Sequence, residues 1–210
     1  MTKREDGKET RRRLLKAASA EFARNGYQKA KVADICKRAG ANQAAVNYYF
    51  RNKAGLYAET WQHTCRESQE SMLPDMTELP PEERLHLYIR MVMQNLTDEG
   101  DPQYFSRLYL REVVSPTGLI QDGWQETIQP WREKLHHLIR ELMGPNANAE
   151  RVRFCEMSIL NQCRMLITIN RHDLEMLLEQ PLSPEVVERM VNHITAFSLA
   201  GITAVGRGGP

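Results

Sequence analysis

Residues 32–50 read VADICKRAGANQAAVNYYF, and this stretch decides the fold. Val32, Ile35 and Ala39 recur at i, i+3 and i+7, the spacing of one helical face. Gly40 stops that short helix, because a residue without a β-carbon accepts a turn conformation that others resist. Asn42 opens a second helix as its N-cap, with a side chain able to accept from the free amides of the first turn. Val46 and Phe50 then point inward at i, i+4, and the small Cys36 lets the two backbones approach where they cross. Upstream, Glu9 to Asn25 has helical spacing as well, with Leu14 or Leu15, Ala18 and Phe22 on one face, and Asn25-Gly26 closes it. Three short helices in succession, the last two parted by only a few residues, describe a helix-turn-helix.

That arrangement leaves Gln43, Ala44, Asn47 and Tyr48 on the outer face of the second helix of the pair. In a DNA-binding helix-turn-helix this helix reaches base edges in the major groove with its N-terminal residues. Gln43 and Asn47 each donate and accept, which is the chemistry that reads adenine N6 and N7; the bland alternative is solvated polar surface. Charge favours the functional reading. The whole chain of 210 residues is close to neutral at +1, yet residues 1–60 hold 14 Lys+Arg against 6 Asp+Glu, and the remainder holds 14 against 21. A basic head on an acidic body fits a polyanion-binding module joined to a part with another task.

The ordered set Phe22-Ala23, Gly26-Tyr27, Val32-Ala33-Asp34-Ile35, Ala39-Gly40, Tyr49-Phe50 and Lys53 before Leu56-Tyr57 resembles the N-terminal DNA-binding domain of the TetR family of transcriptional regulators, from Arg12 through about Tyr57. The resemblance implies a homodimeric repressor, released from palindromic double-stranded DNA when its larger C-terminal domain binds a small effector. It also implies that Tyr48 or Tyr49 and Lys53 hold phosphates, Lys53 lying at the N-terminus of a fourth helix whose amides face the anion. The sequence departs from the family at Asn47, where an aromatic residue is frequent, and at Asn42, where Ser or Thr is frequent. A basic arm from Lys3 to Arg13 precedes the first helix; Arg11 and Arg12 are candidate phosphate contacts, and a disordered solubilising tail is the alternative.

From Ala54 onward the chain reads as helices divided by proline and glycine. A fourth helix runs to about Met72 and ends near Pro74, and Pro80-Pro81-Glu82-Glu83 starts another. Pro102 and Pro116 bracket the next, Pro130 is expected to kink the one after, and Gly144-Pro145 ends it. Ala149 to about Asn170, Asp173 to Glu179 and Ser183 to about Val205 complete the set. No alternating strand pattern occurs, so the expected fold is all-α: a helix-turn-helix domain over residues 1–57 and a larger helical effector-binding and dimerisation domain over 58–210. Hydrophobic residues at 41% and charged residues at 26% are ordinary globular usage. The longest stretch without Asp, Glu, Lys or Arg, Met190 to Gly206, is too short and polar to span a membrane, and four scattered cysteines suit a reducing cytoplasm.

The last helix is apolar around most of its circumference, with small Ala196, Ser198, Ala200 and Gly201 among Ile194, Phe197 and Val205. With Phe154 on the preceding long helix, this predicts a four-helix bundle shared by two subunits; burial within one monomer is the alternative. Phe154 to Met176 and His193 to Gly201 are also similar to the C-terminal domain of the CecR (YbiH-like) branch of the family. Aromatic walls for an effector are offered by Trp61, Tyr104, Phe105, Tyr109, Trp124 and Trp131, with Arg107, Arg111, Glu112, Gln162 and Arg164 as polar handles, which fits an aromatic ligand, anionic or amphiphilic. The same side chains would also serve as core and surface. Adjacent His136 and His137 point about 100° apart on a helix and make a poor pair for one metal ion. No HExxH, CxxC, phosphate loop or GxSxG is present, so neither catalysis, a metal nor a cofactor is expected. Two rival readings are a regulator controlled by protein partners or expression level rather than a small ligand, and a helical small-molecule binder or enzyme whose head is an interaction module.

Overall fold

The computed structural model describes residues 3–72, 78–97 and 104–208, and the helix ends expected at Pro74 and Pro102 lie outside them. Among the described residues there are ten α-helices and no strands. They are α1 (Lys3–Lys29), α2 (Val32–Ala39), α3 (Gln43–Phe50), α4 (Lys53–Met72), α5 (Pro81–Thr97), α6 (Tyr104–Val114), α7 (Gln121–Met143), α8 (Ala149–Thr168), α9 (Arg171–Leu178) and α10 (Pro184–Gly206). None is long and apolar enough to cross a membrane.

Local chemistry accounts for most boundaries. The Asn42 side chain accepts from the Ala45 amide at 2.9 Å, Asn148 does the same for Arg151 at 2.9 Å, and Asn170 for Asp173 at 3.0 Å. Ser183 caps α10 ahead of Pro184 at the first helical position. Gly40 adopts φ 60°, ψ 40° past the end of α2, and Ala41 N donates back to Cys36 O at 3.0 Å. Pro130 lies inside α7.

The segment expected as an arm is helix instead: α1 starts at Lys3, and Gly26 at φ 70°, ψ 169° interrupts it near its end. Lys, Arg and Glu are good helix formers. Here they also pair along the helix, Arg12 to Glu9 at 2.7 Å, while Thr10 Oγ1 donates to Asp6 O at 2.8 Å.

The chain divides into two compact units that do not follow the expected boundary at 57. The first is Met1–Met72 with Glu99–Thr127, and the second is Leu73–Asp98 with Ile128–Pro210. The first unit therefore gains α4, α6 and the start of α7 because its core needs them. Leu14, Phe22, Ile35, Val46, Phe50, Leu56, Tyr57 and Trp61 are buried with Leu108 of α6. Phe22 meets Tyr57 edge-on, centroids 4.9 Å apart at 89°.

The second unit packs α5, α7, α8 and α10 around Leu85, Ile89, Met93, Leu135, Ile139, Val152, Ile159, Cys163, Val191 and Ile202. Burial pushes the Cys163 thiol up to about 12, so it acts as a small core residue rather than a nucleophile. Ion pairs rim this core: Arg84 with Glu141 at 2.6 Å, and Arg90 with Glu188. A buried carboxylate joins α7 to α8. Glu156 accepts from Arg132 Nε and Nη2 at 2.7 and 2.8 Å and lies 2.8 Å from His136 Nε2. Burial alone would raise its pKa, but Arg132 and then His136 hold it below the ordinary carboxylate value of 4.5.

A depressed folded pKa supplies stability that is present above the unfolded value and lost as pH falls through the folded one. Glu156→Gln, which does not titrate, is therefore expected to cost about 2 kcal/mol at neutral pH. That deficit should shrink once pH drops below the usual carboxylate range. Denaturant unfolding of wild type and variant between neutral and acid pH measures it; a deficit constant with pH refutes the assignment.

Candidate nucleic-acid interface

Helices α2 and α3 cross through a three-residue turn. Ile35, Cys36 and Ala39 of α2 and Val46 and Phe50 of α3 are buried, so the remaining faces of α3 are fixed. Gln43, Ala44, Asn47 and Tyr48 are all exposed, Tyr48 at 82%. Neither Gln43 nor Asn47 has a side-chain hydrogen-bond partner among the described residues, which leaves both amides free for base edges. Tyr48 and Tyr49 stand edge to face at 4.9 Å.

The residues expected at phosphates separate into two kinds. Arg12 is exposed and, among the described residues, pairs with Glu9. Arg11 is instead structural: it pairs with Glu59 of α4 and stacks 5.3 Å over the Phe50 ring, tying α1 to α3 and α4. Tyr49 is half-buried and turns toward α1, where a β-carbon on Gly7 would meet its hydroxyl at 3.1 Å. Lys53 opens α4 as expected, with its ammonium 4.7 Å from the Tyr27 ring and donating to Gln28 O at 3.3 Å. These two contacts anchor the ammonium against the end of α1.

Arg51 escaped the sequence reading. It links α3 to α4 at φ 67°, ψ −49°, a conformation that strains a residue with a β-carbon, and its side chain is exposed. The one signal was the two-residue gap before Lys53, too short for an ordinary helix-to-helix turn. Asn52 then caps α4 by accepting from the Gly55 amide at 2.9 Å.

Two family models match this chain: residues 14–60 match that of the bacterial regulatory proteins of the tetR family, and residues 81–202 match the C-terminal domain of the HTH-type transcriptional dual regulator CecR. The chain belongs to the TetR family. It is similar to the uncharacterized HTH-type transcriptional regulator YdgC of Bacillus subtilis (strain 168), 35% identical over 100 residues that cover 45% of this chain and 51% of that protein. It is also similar to the transcriptional dual regulator CecR of Shigella flexneri, 29% identical over 157 residues, 70% of each chain. The chain thus spans about half the length of the first relative. A solved transcriptional regulator from Rhodococcus sp. Rha1 shares the fold, with a TM-score of 0.68 at 18% identity over 91% of this chain and 96% of that one. The proteins it matches are transcriptional regulators.

Within this TetR-family regulator, Trp61, Phe105, Tyr109 and Trp124 of the aromatic residues expected around an effector do come together in the first unit. Trp124 stacks with Trp61 at 5.3 Å and 20°, and with Tyr109 at 5.2 Å and 10°, while Phe105 lies 5.3 Å from Trp61. Of the polar handles, Arg107, Arg111 and Gln162 do not join them. Arg107 is exposed and faces away from Phe105 and Tyr109, two residues from each along α6. Gln162 belongs to the second unit, where it donates to Ser158 O at 3.1 Å. Arg111 reaches α1, donating to Ala23 O at 3.1 Å and Arg24 O at 2.7 Å, with its guanidinium against Gly26. It satisfies the carbonyls orphaned where Gly26 breaks that helix.

The adjacent residue Glu112 is buried and accepts from the Tyr57 hydroxyl of α4 at 2.6 Å. Burial, and then this bond, raise the Tyr57 pKa. Successive residues of α6 therefore grip both α1 and α4.

In the second unit, Phe154 of α8 and Phe197 of α10 are 58% and 60% exposed, Val205 is exposed, and a β-carbon on Gly201 would meet nothing within 4 Å. Ile194 was expected beside them but is buried in its own unit with Val187, Val191 and Ile202. Helix α10 is apolar on two sides, and Ile194 lies on the side turned toward α5 and α8.

Proposed function

We propose that this regulator is a repressor that acts as a homodimer on a palindromic operator and is released by a small-molecule effector. The reading rests on the free, outward amides of Gln43 and Asn47 on a helix whose other face is locked by Val46 and Phe50. Two copies related by a two-fold axis would set two such helices into successive major grooves. Lys53, Tyr49 and Arg12 would fix register on the phosphates, and Arg51 joins them as a candidate. Control by an effector is supported by α6, whose Arg111 and Glu112 hold both α1 and α4, so that a shift of α6 would displace the reading helix.

Selection of bound sequences from random duplex DNA at physiological salt tests this reading. Enrichment of an inverted repeat is expected. Asn47→Ala should weaken that site by about 1–3 kcal/mol and relax preference at one position in each half-site. Arg12→Ala should weaken all sequences alike and lower the salt dependence. Sequence-blind binding that Asn47→Ala leaves unchanged rules the reading out.

A further inference from the structure

A cleft of about 850 Å³ opens between the end of α6 and the start of α7, lined by Glu112, Val113, Ile120, Trp124, Gln125 and Glu126. None of its described lining residues is Lys or Arg. Glu112 is only 5% exposed, yet its partners are all neutral: the Tyr57 hydroxyl at 2.6 Å, the Thr117 amide at 3.0 Å and the Thr117 hydroxyl at 2.8 Å. It forms no ion pair among the described residues. Buried charges are ordinarily paired, and here a carboxylate without a counter-ion forms part of a cavity wall. Trp124, braced in its stack with Trp61 and Tyr109, supplies a rigid aromatic surface beside it. Glu126 adds a second carboxylate at the exposed side.

We propose that this cleft binds an organic cation carrying an apolar body, and that its ammonium group draws Glu112 away from Tyr57. The inference rests on the reading that an effector controls DNA binding, and it supplies that effector's site and chemical class. It also reverses the anionic alternative drawn from the sequence, because Arg107 and Arg111 are not in the cleft. A cation gains from both carboxylates and from the indole, whereas an anion meets only like charge.

Loss of the Glu112 bond has a route to the DNA-facing side. The Tyr57 ring packs against Phe22 of α1 at 4.9 Å and against Tyr27 at 5.1 Å, and Tyr27 carries the Lys53 ammonium. A cation that binds better when Tyr57 is released shifts the population toward that state.

The experiment uses the full chain and a matched pair of probes, 4-phenylbutyl-trimethylammonium and 5-phenylpentanoate. Tryptophan fluorescence follows binding, and the selected operator reports DNA affinity. Saturable quenching by the cation and none by the anion is expected, with operator affinity falling about tenfold as the cation saturates. Glu126→Gln should weaken the cation at least fivefold while leaving ligand-free DNA affinity unchanged. Glu112→Gln keeps an acceptor for Tyr57 and should uncouple the probe from the operator. Equal binding of both probes, or cation affinity unaltered by Glu126→Gln, overturns the site. Cation binding without any change in operator affinity overturns the role of Glu112. Ligand-free protein that selects no DNA sequence sinks the regulator reading instead, and the fluorescence titration still decides the cleft.

Discussion

Gly55→Ala is expected to lower the thermal midpoint by several degrees and to abolish selective DNA binding. A β-carbon at residue 55 would stand 2.1 Å from the Phe50 carbonyl oxygen and 3.2 Å from its carbon. Both are backbone atoms, so no side chain can turn aside, and either α3 or α4 must move. Overpacking of this kind costs about 1–3 kcal/mol or more, which is roughly 2–4 °C per kcal/mol in a chain of this size. The functional loss should exceed the thermal one, because Phe50 ends the helix that carries Gln43 and Asn47. A displacement that α4 tolerates would still re-aim both amides. Differential scanning calorimetry and operator binding at low temperature measure the two effects. An alanine variant with wild-type midpoint and wild-type selectivity would show that α3 does not need this close approach.

The requirement at Gly55 was invisible in the sequence, where the glycine sits in an ordinary helical run. Features set by neighbouring residues were legible. Gly40 and Asn42 define the turn and cap through bonds that span three to five residues, and Val46 with Phe50 fixed the outer face of α3. Features set by distant partners were not. Arg111 finds its carbonyls 87 and 88 residues away, and nothing in its neighbourhood separates that clamp from a ligand contact. Gln162 shares no compact unit with Trp61, Phe105, Tyr109 and Trp124, with which it was grouped.

Of the two readings of the basic arm, DNA contact and a disordered tail, the tail fails: the segment is helical, Glu9 pairs with Arg12 within α1, and Glu59 of α4 pairs with Arg11. The boundary at 57 failed because the helix-turn-helix does not close its own core. Tyr57 and Trp61 extend that core into α4 and α6, and sequence periodicity carries no record of which helix will cover which.

The second large effect concerns α8 and α10. Phe154→Glu combined with Phe197→Glu is expected to halve the solution mass and weaken the inverted-repeat site by a hundredfold or more. Both rings are more than half exposed in one chain. Beside them Met157 is exposed, and Gly201 leaves open space where a helix from a second copy could approach. Isolated surface apolar residues need no partner, but a two-helix stripe of them marks an interaction face. A two-fold axis would bring each stripe against its own copy, so each residue is counted twice and two substitutions place four carboxylates in one interface.

DNA affinity then falls for a reason unrelated to α3. Each half-site must be bound separately, without the gain in effective concentration that joining two readers provides. The double variant should keep its monomer stability, since neither side chain belongs to the core around Val191 and Ile202. That separates this result from unfolding. Analytical ultracentrifugation with operator titration decides it: an unchanged mass, or a halved mass with undiminished affinity for the inverted repeat, would remove the dimer from the mechanism. Gly201→Leu provides the finer probe. It has room in the single chain and should act only through the copy that packs against it.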